Sequence, residues 1–207
     1  MALVQQASSN ESDKATQQSN IRAKGRANRG MRMGLESSAI ATAIQAVRAL
    51  VTVYDGYEKG RFMKSDEAVR SEIQRRCEML IRHAEKLEQD AHRRNHRNSR
   101  MACAQVIENL ESYNREAQFS TSANHISKHK GIGKLKSSSV RKLVDHDSKS
   151  LQSLVEATRK ANEVAESLSD LPEQEGLALI SQFEQKINRA RNHFLERNMF
   201  IDGLTTR

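Results

Sequence analysis

Two histidines, His92 and His96, stand four residues apart, the spacing that places two imidazoles on one helix face as metal ligands. Arginines surround both histidines, and no carboxylate or thiolate completes a ligand set with them. Because positive charge opposes a divalent cation, the segment favours a solvated basic surface over a metal site. The arginines that could contact a polyanion here are Arg93, Arg94, Arg97 and Arg100.

Residues 130–134 have the sequence KGIGK, in which glycines would let backbone N–H groups approach a phosphate. The segment lacks the GxxxxGK[ST] spacing of a nucleotide-binding loop, and no apolar strand precedes it. A linker without a partner and a contact to a phosphate backbone both remain open for it. Its candidate contacts are Lys128, Lys130, Lys134 and Lys136.

A third basic set lies in residues 1–35, which are rich in Ser, Gln, Asn and Gly. This composition cannot bury much apolar surface, so we predict a disordered, basic N-terminal arm that could order on a partner. Its candidate phosphate contacts are Arg22, Lys24, Arg26, Arg29 and Arg32.

Catalytic patterns are lacking in the sequence. Ser, His and Asp residues fall at no spacing that indicates a triad, and the sequence predicts neither an enzyme nor a bound cofactor. Cys77 and Cys103 stand 26 positions apart, without the paired spacing of a zinc site or of a disulfide framework. We expect both to be buried free thiols.

The charge distribution carries more information. The chain has 34 Lys and Arg, 26 Asp and Glu, a formal charge of +8 and a pI near 9.7. Residues 120–142 contain six Lys/Arg and no acid, whereas residues 143–185 contain three Lys/Arg and nine Asp/Glu. A +6 block therefore adjoins a −6 block, a pattern typical of a polyanion partner or of pairing with a neighbouring copy.

The elements that must position these residues are helical. Aromatic residues make up 4% of the chain, there is one Pro and no Trp, and apolar residues recur at alternating steps of three and four. We predict an all-α fold, an elongated bundle of four or five helices with coiled-coil-like seams. The predicted seam of the fourth helix is Val140, Val144, Asp147, Leu151, Leu154, Thr158, Ala161, Ala165 and Leu168.

Local signals predict where the helices begin and end. Ser37 or Ser38 caps the first helix, and the second follows Ser65 with Asp66 in its first turn. The apolar phase shifts by about 120° across residues 92–100, which favours a corner near 95–98 over one continuous helix. Asp170-Leu171-Pro172 ends the fourth helix and Gly203 the last.

No internal repeat is visible in the sequence, and the organisation reads as one domain. Its predicted parts are the arm 1–35, a helical hairpin region 36–119, the basic Ser/Lys/Gly loop 120–139 and a C-terminal helical pair 140–203.

These observations favour a non-enzymatic, self-assembling structural protein that binds nucleic acid through phosphate contacts, with little sequence preference. A cytoplasmic helical adaptor or chaperone is one alternative, and a peripheral membrane-remodelling hairpin is another. The lack of aromatic anchors disfavours a membrane surface as the partner. We expect a homo-oligomer in the cytoplasm or within a nucleoprotein assembly, since no apolar run is long enough to span a membrane.

Overall fold

A computed structural model of the chain describes residues 41–51, 54–57, 62–119 and 135–205. The predicted arm, the predicted helix start at Ser37 or Ser38 and most of the predicted basic loop lie outside the described residues. Ala43–Arg207 form one compact unit.

Five helices make up the described part of the chain, which contains no strand and confirms the predicted all-α bundle. Residues 41–50 lie in α1. The four long helices are α2 (Phe62–Arg93), α3 (Arg97–Phe119), α4 (Ser137–Ser167) and α5 (Glu173–Thr205).

The four long helices form two antiparallel hairpins, α2–α3 and α4–α5, that pack side by side. Helix α3 lies along α5, and α2 lies along α4. Three side-chain contacts between α3 and α5 join residues that are 75 positions apart, so these two helices run in the same direction. The contacts are Asn98 with Glu173, Asn109 with Glu184, and Glu116 with Arg191.

Helices α3 and α5 also have the same spacing of buried residues, although their sequences show no repeat. The buried residues Ile180, Phe183, Ile187, Ala190 and Phe194 stand 77 positions after Cys103, Val106, Leu110, Tyr113 and Ala117, which are all buried too. Each hairpin therefore presents one continuous apolar stripe, and the core lies where the stripes meet.

The same alternating spacing predicts buried seams in α2 and α3, and every residue of both is buried, but the predicted seam of α4 drifts out of phase. The confirmed seams are Val69, Ile73, Cys77, Leu80, Ala84, Leu87 and Ala91 of α2, and Cys103, Val106, Leu110, Tyr113 and Ala117 of α3. Thr158 is half-buried and Ala165 is exposed, while Ala157 and Val164 are fully buried. A strict seam of alternating threes and fours averages 3.5 residues per turn, and a straight helix of 3.6 residues per turn moves off it by about 20° per heptad.

Three predicted helix ends are wrong by a few residues. Helix α2 begins at Phe62 rather than after Ser65, α4 begins at Ser137 rather than at 140, and α5 continues past Gly203 to Thr205. Asp66 consequently lies beyond the first turn of α2 and is buried, so it does not act as a solvent-exposed partner of the helix dipole.

The predicted corner between α2 and α3 is confirmed and lies at residues 94–96. Asn95 adopts φ +59°, a left-handed conformation that Asn tolerates better than most residues. The His96 N–H donates to the Ala91 carbonyl at 2.9 Å, and the Asn95 N–H donates to the His92 carbonyl at 3.1 Å. These two bonds are those of a Schellman motif, which satisfies the last carbonyls of α2.

Candidate functional site

A buried polar cluster joins four segments of the chain at one end of the bundle. Arg197 of α5 is fully buried at its centre, between Asp147 of α4 and Asp66 of α2. Tyr54 and Tyr57 enter from the segment that follows α1, and both rings are buried. We call these residues, together with Arg70, the buried charge cluster.

Hydrogen bonds connect every member of the buried charge cluster. The Arg197 guanidinium donates to both carboxylates and, at 2.7 Å, to the Tyr57 hydroxyl. Asp147 also accepts from the hydroxyls of Tyr54 and Tyr57, at 2.8 and 2.6 Å. Arg70 completes the cluster with a 2.8 Å ion pair to Asp66. Two arginines thus face two aspartates, and the formal charges cancel.

The electrostatics of the buried charge cluster hold its protons in place. Burial would lower the pKa of Arg197, but Tyr57, Asp147 and Asp66 around it outweigh that effect and raise the pKa well above its ordinary value. Burial raises the pKa of both tyrosines, and the adjacent Asp147 carboxylate raises them further. Because Arg197 and both tyrosines are buried and keep their protons near neutral pH, the cluster is suited to fixing residues 54–57 on the bundle and not to acid–base chemistry.

The sequence contained a signal for part of the buried charge cluster. Asp147 occupies a position of the predicted apolar seam of the fourth helix, where a polar residue needs a buried partner. The partner Arg197 was missed, although it follows Phe194 by three residues and continues the buried stripe of α5 to Ile201. Spacing alone could not reveal that α2 and α5 bring Asp66 and Arg197 together.

The predicted arginines of the α2–α3 corner lie at the other end of the bundle, which we call the turn end. Arg94 donates to the carbonyls of Leu168 and Ser169 at the end of α4, so its guanidinium joins the two hairpins. Arg93 pairs with Asp90, and Arg100 lies 3.8 Å from Glu88.

The charges at the turn end largely cancel. Four arginines of the corner stand against the nearby acids of α2 and of the α4–α5 turn. Those acids are Glu88, Asp90, Asp170, Glu173 and Glu175.

Of the predicted loop contacts, only Lys136 lies within the described residues, where it is exposed and immediately precedes α4. Lys128, Lys130, Lys134 and the five arm residues Arg22 to Arg32 lie outside them. The start of α4 is at the end that holds the buried charge cluster, opposite the turn end. The 32 residues of α2 between the two ends span about 48 Å at 1.5 Å per residue. The predicted corner arginines and Lys136 are therefore not brought together.

Net charge separates sharply between the described residues and the rest of the sequence. The described residues contain 22 Lys/Arg and 22 Asp/Glu, so the described part of the chain is neutral. The other residues contain 12 Lys/Arg and 4 Asp/Glu, which is the whole +8 of the chain.

Much of this excess joins the bundle at one end. Helices α2 and α4 begin, and α3 and α5 finish, at the end that holds the buried charge cluster. Residues 58–61, 120–134 and 206–207 attach to those helix ends and contain six Lys/Arg and one Asp/Glu. We call this the basic end.

In the folded protein, two acids of the −6 block, residues 143–185, pair with basic residues of α5. Asp147 is buried against Arg197, and Glu156 pairs with Lys186 of α5 at 2.9 Å. What remains is an acidic stretch at residues 161–185, with six Asp/Glu and no Lys/Arg, toward the turn end.

Both cysteines are free and buried, as predicted, and burial raises the pKa of each thiol to about 12. Within the described residues no three His, Cys, Asp or Glu side chains come together as a metal site would require. None of the described helices is long and apolar enough to cross a membrane.

No protein-family model, curated protein or solved structure matches the chain. The function is therefore inferred from the charges and contacts of the chain itself.

Proposed function

We propose that this protein binds nucleic acid through phosphate contacts at the basic end of a neutral helical bundle, with little sequence preference and without catalysis. The observation that carries the proposal is the separation of charge. The described helices are neutral, and segments with a net charge of +5 join them at one end. Lys and Arg in such segments release condensed counterions when they neutralise phosphates, which is the main source of sequence-independent affinity.

The turn end is the weaker candidate for phosphate contact. Arg94 is engaged with carbonyls of α4, and the other three corner arginines stand among carboxylates. A phosphate there would meet nearby negative charge, and the Coulomb repulsion would offset the arginine contacts.

The buried charge cluster, a dense group of titratable residues among those described, is consistent with binding without catalysis. The buried charge cluster uses its carboxylates internally, since Asp147 and Asp66 both accept from arginines. It leaves no general base directed at solvent.

The proposal is tested by a matched pair of triple variants. Lys128, Lys130 and Lys134 are changed to Gln in one, and Arg93, Arg97 and Arg100 in the other, so each loses three positive charges. Affinity for duplex DNA is then measured by fluorescence anisotropy across a salt series. We expect the lysine variant to lose roughly 2.7 units of log–log salt slope, at about 0.9 per phosphate contact.

The arginine variant is the control for net charge alone. We expect its salt slope to stay close to that of the unchanged protein, because its arginines lie at the turn end. Equal losses in both variants would contradict a single basic end, and no binding by the unchanged protein in low salt would overturn the proposal.

Self-association is the second part of the proposed function. The specific observation in its favour is the acidic stretch 161–185, whose Glu163, Glu166 and Glu184 are additional to the acids that the corner arginines offset at the turn end, opposite the basic end. Complementary charge at opposite ends favours a head-to-tail contact between copies, which is an open rather than a closed interface.

A further inference from the structure

Residues 44–51 and the turn at residues 54–57 pack as one unit, which we call the tyrosine latch. The Arg48 side chain donates to the Tyr54 carbonyl at 2.9 Å. Gly56 lies so close to Ile44 that a Cβ atom added to Gly56 would be 2.8 Å from the Ile44 Cδ1 atom. These two contacts tie the helix to the turn that follows it, so both parts of the tyrosine latch move together.

Hydrogen bonds attach the tyrosine latch to three of the four long helices. The hydroxyls of Tyr54 and Tyr57 donate to Asp147 of α4, and the Tyr57 hydroxyl accepts from Arg197 of α5. Ser65 of α2 accepts from the Tyr57 N–H at 3.4 Å. Water replaces hydrogen bonds of this kind when a segment detaches, so their net contribution to the attachment is small compared with their strength in an apolar core.

The charges of the long helices stay compensated without the tyrosine latch. Arg197 of α5 keeps Asp147 of α4 and Asp66 of α2 as partners, and Arg70 keeps Asp66. The ion pairs therefore join the long helices to one another, whereas the tyrosine hydroxyls join the latch to them. Helix α1 is also the first helix of the described chain, so its release interrupts neither of the two hairpins.

Two features of the tyrosine latch lower the free energy needed to detach it. Gly56 and Tyr57 adopt φ +68° and φ +64°, and the left-handed region is unfavourable for a bulky residue such as Tyr57. A detached chain would leave that conformation. Helix α1 covers residues 41–50, which is too short for a stable helix in water without tertiary contacts.

We propose that the tyrosine latch opens and closes on the bundle as one unit while α2–α5 stay folded. Burial of Val47, Val51 and both tyrosine rings keeps the closed state predominant. Opening admits water to the buried charge cluster and removes two hydrogen-bond donors from Asp147. The latch is thus a conformational switch that controls solvent access to the cluster, and it does not depend on nucleic-acid binding.

Native-state hydrogen exchange of the full chain tests the tyrosine latch, with mass spectrometry of peptides at urea concentrations below the unfolding transition. We expect the amides of residues 44–51 to exchange faster than those of residues 73–87 in α2. Their rates should also depend less on urea, because opening the latch exposes less surface than global unfolding does. Equal rates with equal urea dependence in both segments would overturn the proposal.

A pair of variants separates opening of the latch from unfolding of the bundle. Tyr57→Phe keeps the ring, which packs 5.1 Å from the Phe62 ring, but loses the two hydroxyl bonds to charged groups. Exchange of residues 44–51 should rise at least about tenfold. Val106→Ala removes buried methyl groups of α3, away from the latch.

Val106→Ala weakens the bundle equally whether the latch is open or closed. It should therefore raise exchange of residues 73–87, at least about fivefold, and leave residues 44–51 unchanged. A matching rise in residues 44–51 would show that they exchange only through global unfolding, and the proposal would be wrong.

Gly56→Ala opens the latch without altering the buried charge cluster. The added Cβ atom would meet Ile44, and φ +68° disfavours Ala. We expect the amides of residues 44–51 to lose protection while circular dichroism shows the long helices still folded. Gly203→Ala is the matched control, because no atom lies within 4 Å of its added Cβ atom, and it should leave residues 44–51 unchanged. Loss of all helical structure in Gly56→Ala would overturn a separate opening of the latch.

Discussion

At the scale of single residues, the burial of the Arg197 side chain depends on its charged partners. Its guanidinium is fully buried and is balanced by Asp147 and Asp66. Such pairs add little to stability compared with apolar residues of the same volume, but removing one partner leaves a buried charge without compensation. The cluster therefore specifies which helices meet at the basic end more than it increases the free energy of unfolding.

Arg197→Met should consequently lower the free energy of unfolding by about 3–5 kcal/mol. Arg191→Met is the matched control on the same helix, because Arg191 pairs with Glu116 at a partly exposed site and should contribute at most about 1 kcal/mol. Urea denaturation followed by circular dichroism measures both. Equal stability of Arg197→Met and the unchanged protein would contradict the buried charge cluster.

The two thiols give a second prediction at this scale. The folded chain raises the pKa of Cys77 and Cys103 from about 9 to about 12, so the protonated thiols contribute stability fully below pH 9. That contribution is lost as the pH rises from about 9 to about 12, at up to about 1.4 kcal/mol per pH unit for each thiol.

Urea midpoints between pH 8 and pH 11 measure this loss, with the Cys77→Ala/Cys103→Ala variant as the comparison. We expect the unchanged protein to lose more stability than the variant over the same range. Rapid reaction of either native thiol with a disulfide reagent at neutral pH would contradict the burial of that thiol in the folded protein.

At the scale of elements, the phase of α4 decides which of its residues pack in the core. The seam predicted from alternating threes and fours includes Ala165, whereas the folded helix buries Val164 and exposes Ala165. Adjacent positions on one helix are 100° apart, so this difference of one residue exchanges core for solvent.

Val164→Asp should therefore destabilise the protein strongly, because it places a charge with no partner in the apolar core. Ala165→Asp, one residue later, should change the midpoint of thermal unfolding little. Circular dichroism at increasing temperature distinguishes them, and a reversed order of the two midpoints would restore the phase predicted from the sequence.

At the scale of the whole molecule, the separation of charge predicts salt-dependent self-association. In the proposed head-to-tail contact the basic end of one copy meets the acidic stretch 161–185 of the next, and salt would screen that attraction over roughly 10 Å at 0.1 M. We expect the sedimentation coefficient to rise with protein concentration at about 0.05 M salt and to be constant at about 0.5 M.

A variant that neutralises the exposed acids Glu163, Glu166, Asp170 and Glu175 provides the control. It should sediment as the smallest species at both salt concentrations. If the unchanged protein sediments as a single species under all conditions, the self-association proposal is wrong. The proposal of nucleic-acid binding would then stand as a separate property.

The sequence alone determined the helical class, the seams of α2 and α3, the corner near Asn95 and the burial of both thiols. These features depend on local physics. Apolar periodicity selects the buried face of a helix, and Asn at a left-handed position ends it, wherever the partner helix lies.

Only the tertiary structure decided which distant residues meet. It paired Arg197 with Asp66, which are 131 positions apart, and placed the corner arginines and Lys136 at opposite ends of the bundle. Charge counted along a chain cannot reveal this, because helix packing brings together residues that the sequence separates and separates blocks that it joins. Asp147 and Glu156 of the −6 block, for example, pair with Arg197 and Lys186 of α5, which lie outside both charged blocks.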